Sequence, residues 1–310
     1  MMSEVDDSKV LGVINDIQRM SICDGPGYRT TVFLKGCYLN CQWCHNPEGK
    51  RRYPEVFPYI PNCVGCGLCV DVCPTGALTL EEGNKPLIDR GKCISCLQCV
   101  KACKYDALVV WGEIQTAGEV IDEVEKDKPF YVTSGGGMTL SGGEPMAQPD
   151  FCLALLRLAK SREINTALDT AGSAPWEDYE KVLPYVDLFL YDIKVMDSAT
   201  HKDYAGLGNE DILQNARRIA ENGGKMRIRV PVIPGRNNTV ENMQATGEFI
   251  RSLGEAVEGV DLLPYHPYAG AKYRIFGIPY PFPEGEGLAD ESVEPFVNVL
   301  IDYADVTVGG

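Results

Sequence analysis

Eleven of the thirteen cysteines in this 310-residue chain fall between Cys37 and Cys103, and no other feature restricts its fold as tightly. They form three groups: Cys37-x3-Cys41-x2-Cys44, Cys63-x2-Cys66-x2-Cys69-x3-Cys73 and Cys93-x2-Cys96-x2-Cys99-x3-Cys103. Such density signals disulfides in a small secreted domain and metal in a reducing compartment. The start, Met-Met-Ser-Glu-Val-Asp-Asp, is acidic and lacks the basic and apolar regions of a secretory signal, so a cytoplasmic, metal-binding protein is expected. Three thiolates on the first loop can hold three irons of a 4Fe–4S cube. Such cubes are normally closed by four cysteines, so the fourth iron would be open to a small molecule. A structural zinc site would want four ligands in two pairs.

The second and third groups repeat one spacing thirty residues apart. They resemble the bacterial two-cluster ferredoxins, in which the last cysteine of each run ligates the other cluster. The resemblance implies one cube on Cys63, Cys66, Cys69 and Cys103, and another on Cys93, Cys96, Cys99 and Cys73. Zinc is disfavoured, because four cysteines packed this tightly do not resemble two separated C-x2-C knuckles. One departure is that Lys104 follows Cys103 where Pro74 follows Cys73; it removes no ligand. Residues 52–112 therefore read as a ferredoxin-like insertion, and 1–51 with 113–310 as the domain that carries it.

The first group resembles the signature of the radical S-adenosylmethionine (SAM) enzymes: C-x3-C-x2-C with an aromatic, Trp43, before the last cysteine. The preceding run, Asp24-Gly25-Pro26-Gly27-Tyr28-Arg29 through Gly36, is similar to the glycyl-radical-enzyme activating enzymes. That resemblance covers nearly the whole chain. It implies an α/β fold, a partial (β/α)6 barrel open on one side, with the two-cluster insertion. It also implies that SAM binds the open iron and is cleaved reductively to a 5′-deoxyadenosyl radical, which takes a hydrogen atom from a backbone glycine of a partner glycyl radical enzyme. Cys37, Cys41 and Cys44 carry the catalytic cluster. Asp24, Gly25, Pro26 and Gly27 lie where the partner's loop enters, and an external one-electron donor such as flavodoxin or ferredoxin is implied. The insertion's clusters would be a wire from that donor or a docking element for the partner.

The rest of the chain suits such a fold. From Thr116, strand and helix patterns alternate, which argues for parallel βα units, in a barrel or a doubly wound sheet. Thr116-Ala117-Gly118-Glu119 fits an N-cap and capping box. Functional groups collect at the carboxyl ends of parallel strands. Polar residues stand there repeatedly: Ser141-Gly142-Gly143-Glu144, Asp169-Thr170, Asp192 with Lys194, Arg227 and Arg229, and His266. The glycine pair allows close backbone approach. By resemblance, Gly142, Gly143 and Glu144 serve the SAM amino group, and Lys194 its carboxylate. Asp169, Thr170 and Asp192 match a small monovalent-cation site, Arg229 an interior arginine, and His266 a residue near the ribose and adenine. Trp43 offers a face for adenine stacking. Cys152 reads as core, and Cys23 as either a site-lining or a buried thiol.

A net charge of −15 argues against nucleic acid as a partner, and no run of about eighteen apolar residues suggests a membrane span. Two rival readings stand beside the activating enzyme. One is an iron–sulfur electron carrier without catalysis, against which Gly142–Glu144, Lys194 and His266 speak. The other is a radical SAM enzyme acting on a different substrate.

Overall fold

The computed structural model describes residues 6–81, 85–276, 279–280, 282 and 287–309. Its strands are β1 (Leu11–Ser21), β2 (Arg29–Leu34), β3 (Glu55–Pro58), β4 (Leu78–Leu80), β5 (Pro86–Ile88), β6 (Leu108–Trp111), β7 (Glu113–Thr116), β8 (Gly137–Gly142), β9 (Asn165–Thr170), β10 (Leu188–Asp192), β11 (Met226–Val232), β12 (Val257–Pro264) and β13 (Val306–Val308). Its α-helices are α1 (Leu68–Asp71), α2 (Gln98–Ala102), α3 (Ala117–Glu125), α4 (Lys128–Ser134), α5 (Pro149–Ser161), α6 (Trp176–Val182), α7 (Ser198–Ala205), α8 (Glu210–Glu221), α9 (Val240–Leu253), α10 (Tyr268–Phe276) and α11 (Glu294–Leu300).

Nine strands form one sheet in the order β13-β12-β11-β10-β9-β8-β2-β1-β7. Every neighbouring pair from β2 to β13 is parallel, while β1 is antiparallel to both β2 and β7. Among the described residues β13 and β7 do not pair, so the sheet stays open. Six of the parallel strands are those read from the sequence; β13 adds a short seventh. One face packs against the helices. There Val120, Ile121 and Val124 of α3 and Phe151, Leu155 and Leu156 of α5 join Met226, Ile228 and Val230 of β11 in one apolar core. Alternation along β11 sends Arg227 and Arg229 to the other face, among the functional groups. The capping box forms: the Thr116 hydroxyl accepts from Glu119 N at 3.2 Å, and the Glu119 carboxylate accepts from Thr116 N at 2.8 Å.

The insertion is closed at its base by β3 and β6, paired antiparallel from Glu55↔Trp111 to Pro58↔Leu108. Helices α1 and α2 and the hairpin β4–β5 complete it. Its cysteines sort into two small cavities. Cys63, Cys66, Cys69 and Cys103 line one; Cys73, Cys93, Cys96 and Cys99 line the other. This is the crossed grouping that the resemblance to the two-cluster ferredoxins implies.

Several elements, among them α7 and β13 and those inside the insertion, were not read from the sequence. Helix α7 buries only His201 and Ala205 and lacks an apolar stripe, so no periodicity marks it. Strand β13 is three residues long and follows the lead of β12, with no pattern of its own.

Candidate active site

The first cysteine loop leaves the carboxyl end of β2 and is pinned from two sides. Gly36 N donates to Gly49 O at 2.7 Å and Cys37 N to Lys50 O at 3.0 Å, which folds the loop back on the segment behind it. Asn40 N and Gln42 N donate to Ala205 O and Tyr204 O at 2.7 and 3.0 Å. These two carbonyls are in the last turn of α7, where no intrahelical donor remains, so the loop satisfies them. Burial raises the Cys37 thiol to about 12 and the Cys41 thiol to about 11, and pushes Cys44 upward as well. Thiolates there need a bound positive charge, which a cluster iron supplies. In the insertion, Cys73 Sγ accepts from Ala77 N at 3.2 Å and Cys103 Sγ from Ala107 N at 3.3 Å, bonds that suit ligating thiolates.

A cavity of about 910 Å³ opens over the loop at the carboxyl ends of the parallel strands. Cys37, Cys41, Trp43, Cys44, Gly142, Gly143, Asp169, Thr170, Asp192, Lys194, Arg229 and His266 all line it. Lys194 Nζ lies 2.6 Å from Asp192 Oδ2. Burial works against its charge, but Asp192 and the Cys41 thiol hold the ammonium above the usual lysine range. Arg229 Nη1 is 3.3 Å from Asp169 Oδ1, and Asp169 also accepts from Ser141 Oγ at 2.6 Å. The Asp169 carboxylate keeps Arg229 strongly basic. Burial raises Asp169 itself, against the pull of Arg229. Arg227 pairs with Asp261 one layer away, at 2.7 Å.

Two of the expected site residues, Glu144 and Thr170, turn part of their bonding behind the cavity wall. Glu144 does not line the cavity. It is 1% exposed, and its carboxylate accepts from Thr170 Oγ1 at 2.8 Å, Ala171 N at 2.9 Å and Met146 N at 3.1 Å. The backbone turn after Gly143 sends the side chain behind the wall, where it ties the end of β8 to the end of β9. The Thr170 hydroxyl bonds Glu144 and Tyr179. Burial lifts Glu144 to about 7. Between about pH 4.5 and 7 the folded chain therefore holds a proton that the unfolded chain has released, and stability falls as pH rises through that window. The contribution is on the order of 3 kcal/mol at most. Thermal melts of Glu144→Gln should lose this part of the pH slope while sitting lower at pH 5, because an amide cannot accept from all three donors.

The run Asp24 to Gly27 divides by role. Asp24 is tied inward: its carboxylate accepts from Ser21 and, at 2.8 Å, from Thr31 Oγ1, and its carbonyl accepts from Thr139 Oγ1 at 2.7 Å. Gly27 packs against Ser134 and Gly136. Gly25 and Pro26 instead line a second cavity of about 450 Å³, which shares Arg229 and Gly309 with the first. Exposed Cys23 lines it too, while Cys152 is buried core. Arg29, which the sequence reading passed over, is 1% exposed and donates to Pro26 O at 3.1 Å, Met138 O at 2.7 Å and Thr139 Oγ1 at 2.6 Å, fixing this loop. His45 was also passed over. Its ring lies 4.1 Å from that of His266, and burial lowers it to about 4. Its position beside Cys44 was the available signal. Trp43 is 6% exposed and packs with Ile233, Tyr265 and Phe282 while still reaching the cavity.

Comparison with known proteins agrees with this geometry. Residues 62–127 match the 4Fe-4S dicluster domain family, and residues 96–247 the radical SAM superfamily. The isethionate sulfite-lyase activating enzyme of Oleidesulfovibrio alaskensis is 42% identical over 314 residues, covering 99% of this chain and 100% of that protein. The choline trimethylamine-lyase activating enzyme of the same organism is 43% identical over 286 residues, covering 91% and 92%. A radical SAM methyltransferase from Sphaerobacter thermophilus shares the fold, with a TM-score of 0.52 and 13% identity over 90% of this chain and 66% of that one. No helix among the described residues is long and apolar enough to cross a membrane. The chain belongs to the radical SAM glycyl-radical-enzyme activating enzymes: it cleaves SAM reductively to a 5′-deoxyadenosyl radical and takes a hydrogen atom from a glycine of a partner glycyl radical enzyme.

Proposed function

We propose that the 910 Å³ cavity seats SAM between the cysteine loop and the strand ends, and that three 4Fe–4S clusters serve the reaction. The observation that carries this is one shared space: the three loop cysteines, the Gly142–Gly143 pair, Lys194, Arg229 and His266 line the same cavity. When bound, the cluster on Cys37, Cys41 and Cys44 supplies the electron for cleavage. The chain's own groups bind and orient. Lys194 takes the SAM carboxylate while Asp192 holds its ammonium in place. The backbone at Gly142 and Gly143 admits the amino group, and Glu144 acts through the wall it braces. Trp43 and His266 flank the adenosine. Asp192 and Asp169, with the Thr170 carbonyl, offer oxygens to a monovalent cation, which would share them with Lys194 and Arg229.

The second cavity, with Gly25 and Pro26 on its wall, suits the glycine loop of the partner, because it adjoins the first at Arg229. An external low-potential donor such as flavodoxin or ferredoxin would feed the clusters in the cytoplasm, and no nucleic acid or membrane takes part. Lys194→Met tests the seating. Anaerobic equilibrium dialysis of the reconstituted protein should show SAM binding weakened about 10- to 100-fold, the range for a lost charged hydrogen bond. A companion Lys194→Met/Asp192→Asn variant removes the stranded carboxylate. Unchanged affinity in both would dismiss this seating of the carboxylate.

A further inference from the structure

We propose that the two cluster sites of the insertion are electrically unequal: the one on Cys73, Cys93, Cys96 and Cys99 faces the barrel and is the more easily reduced. The proposal rests on the three-cluster reading above.

Position comes first. The β3–β6 ladder runs from Glu55 and Trp111 at its barrel end to Pro58 and Leu108 at its far end. Val56, next to Glu55, lines the Cys73–Cys93–Cys96–Cys99 cavity, whereas Leu108 lines the other. Glu55 marks the barrel end because it meets Lys35, the residue before Gly36-Cys37. Lys35 is wholly buried; its Nζ lies 3.5 Å from Glu55 Oε2 and also donates to Glu48 O.

Charge comes second. Each site has a backbone N–H on a ligating sulfur, from Ala77 to Cys73 and from Ala107 to Cys103, and the Thr75 hydroxyl also lies 3.8 Å from Cys73 Sγ. Each has one exposed cysteine, Cys96 or Cys66. Beyond these contacts, the charge near the two sites differs. Three residues before its first cysteine, one run has Arg90 and the other Ile60. Arg90 is half-buried, stacks 4.5 Å from the Phe57 ring centre, and lies 3.6 Å from Glu55 Oε1. Arg51 reaches the same oxygen at 3.4 Å. Three cations, Lys35, Arg51 and Arg90, thus surround one carboxylate, an excess of positive charge in the base of the insertion; Arg51 stands partly in water, so the shielded part of that excess comes from Lys35 and Arg90. Positive charge in a poorly solvated place favours the reduced cluster. Lys101 and Lys104, beside Cys103, stand exposed in water, where their field is screened. One electron from a reductant such as dithionite therefore settles first on the barrel-facing site.

The experiment is an EPR-monitored redox titration of the full chain, reconstituted anaerobically and reduced with dithionite. A count well below about twelve irons, three cubes of four, would overturn the three-cluster reading itself. With a full count, Cys66→Ala and Cys96→Ala each delete one insertion signal and so identify both. The signal lost in Cys96→Ala should be the one reduced first. Arg90→Gln should lower its midpoint, Glu55→Gln should raise it, and Arg90→Lys should leave it near wild type; the Cys66-dependent signal should move in none of them. If Arg90→Gln loses iron, Glu55→Gln decides the matter alone. Earlier reduction of the Cys66-dependent signal, or equal movement of both signals, would overturn the proposal.

Discussion

Cys37→Ala is expected to abolish 5′-deoxyadenosine formation while leaving the insertion loaded. Cys37 lines the large cavity with Cys41 and Cys44, and no fourth cysteine lines it with them to take its place. A cube held by two thiolates and an open corner is not retained. The eight cysteines of the insertion line two separate cavities there, closed off by its own ladder and helices. Iron should therefore fall from about twelve to about eight per chain, one cube of three. Deoxyadenosine should drop to background in the presence of dithionite and SAM. Iron and product assays on one preparation check both halves. Persistent product would mean that the cleaving cluster lies elsewhere, and loss of all iron would mean that the insertion cannot assemble without the barrel site.

Gly143→Ala should damage the site without removing any side-chain ligand. A Cβ at this position would lie 2.2 Å from Gly36 O and 2.6 Å from Gly49 O. Both are backbone oxygens, so no side chain can swing aside. They are also in use: Gly36 O accepts from Glu144 N at 2.7 Å, and Gly49 O accepts from Gly36 N at 2.7 Å. The methyl would wedge the end of β8 away from the start of the cysteine loop and break the bonds that hold Cys37 in place. Overpacking of this kind costs about 1–3 kcal/mol. The functional loss should be larger, because the displaced loop both ligates iron and faces SAM. A thermal melt of the apo protein and an iron count of the reconstituted one separate the two effects. Wild-type iron and SAM affinity would show that the loop tolerates the shift.

These effects differ in how far they could be seen from the chain alone. Cysteine spacing is local and covalent, so the division into a three-cysteine loop and two four-cysteine runs was legible in the chain, and the resemblance to the two-cluster ferredoxins implied that the runs cross. The parallel strands were legible for a similar reason: β-branched runs alternating with amphipathic helices admit few arrangements, and their carboxyl ends must lie together. That is why Gly142, Asp169, Asp192, Lys194, Arg229 and His266 could be gathered in advance, and the structure places all of them on one cavity.

Orientation and partnership were not legible. Glu144 sits in the same motif as Gly143, but three donors from β9 and the turn beside it draw its carboxylate behind the wall. Helix α10 carries no readable stripe, and its role emerges only where Lys272 Nζ meets Glu48 at 2.7 Å and Phe276 meets Phe57 at 4.7 Å, joining the cysteine loop to the insertion. The sequence by itself determined which chemistry the chain can hold, because ligand type and spacing are properties of neighbouring residues. Only the tertiary structure decided which charges share a space: Lys35 lies twenty positions before Glu55 and Arg90 thirty-five after it, yet the three become a single network when the insertion docks on the barrel. Their energetics depend on distance and on exclusion of water, and neither is written in the order of the residues.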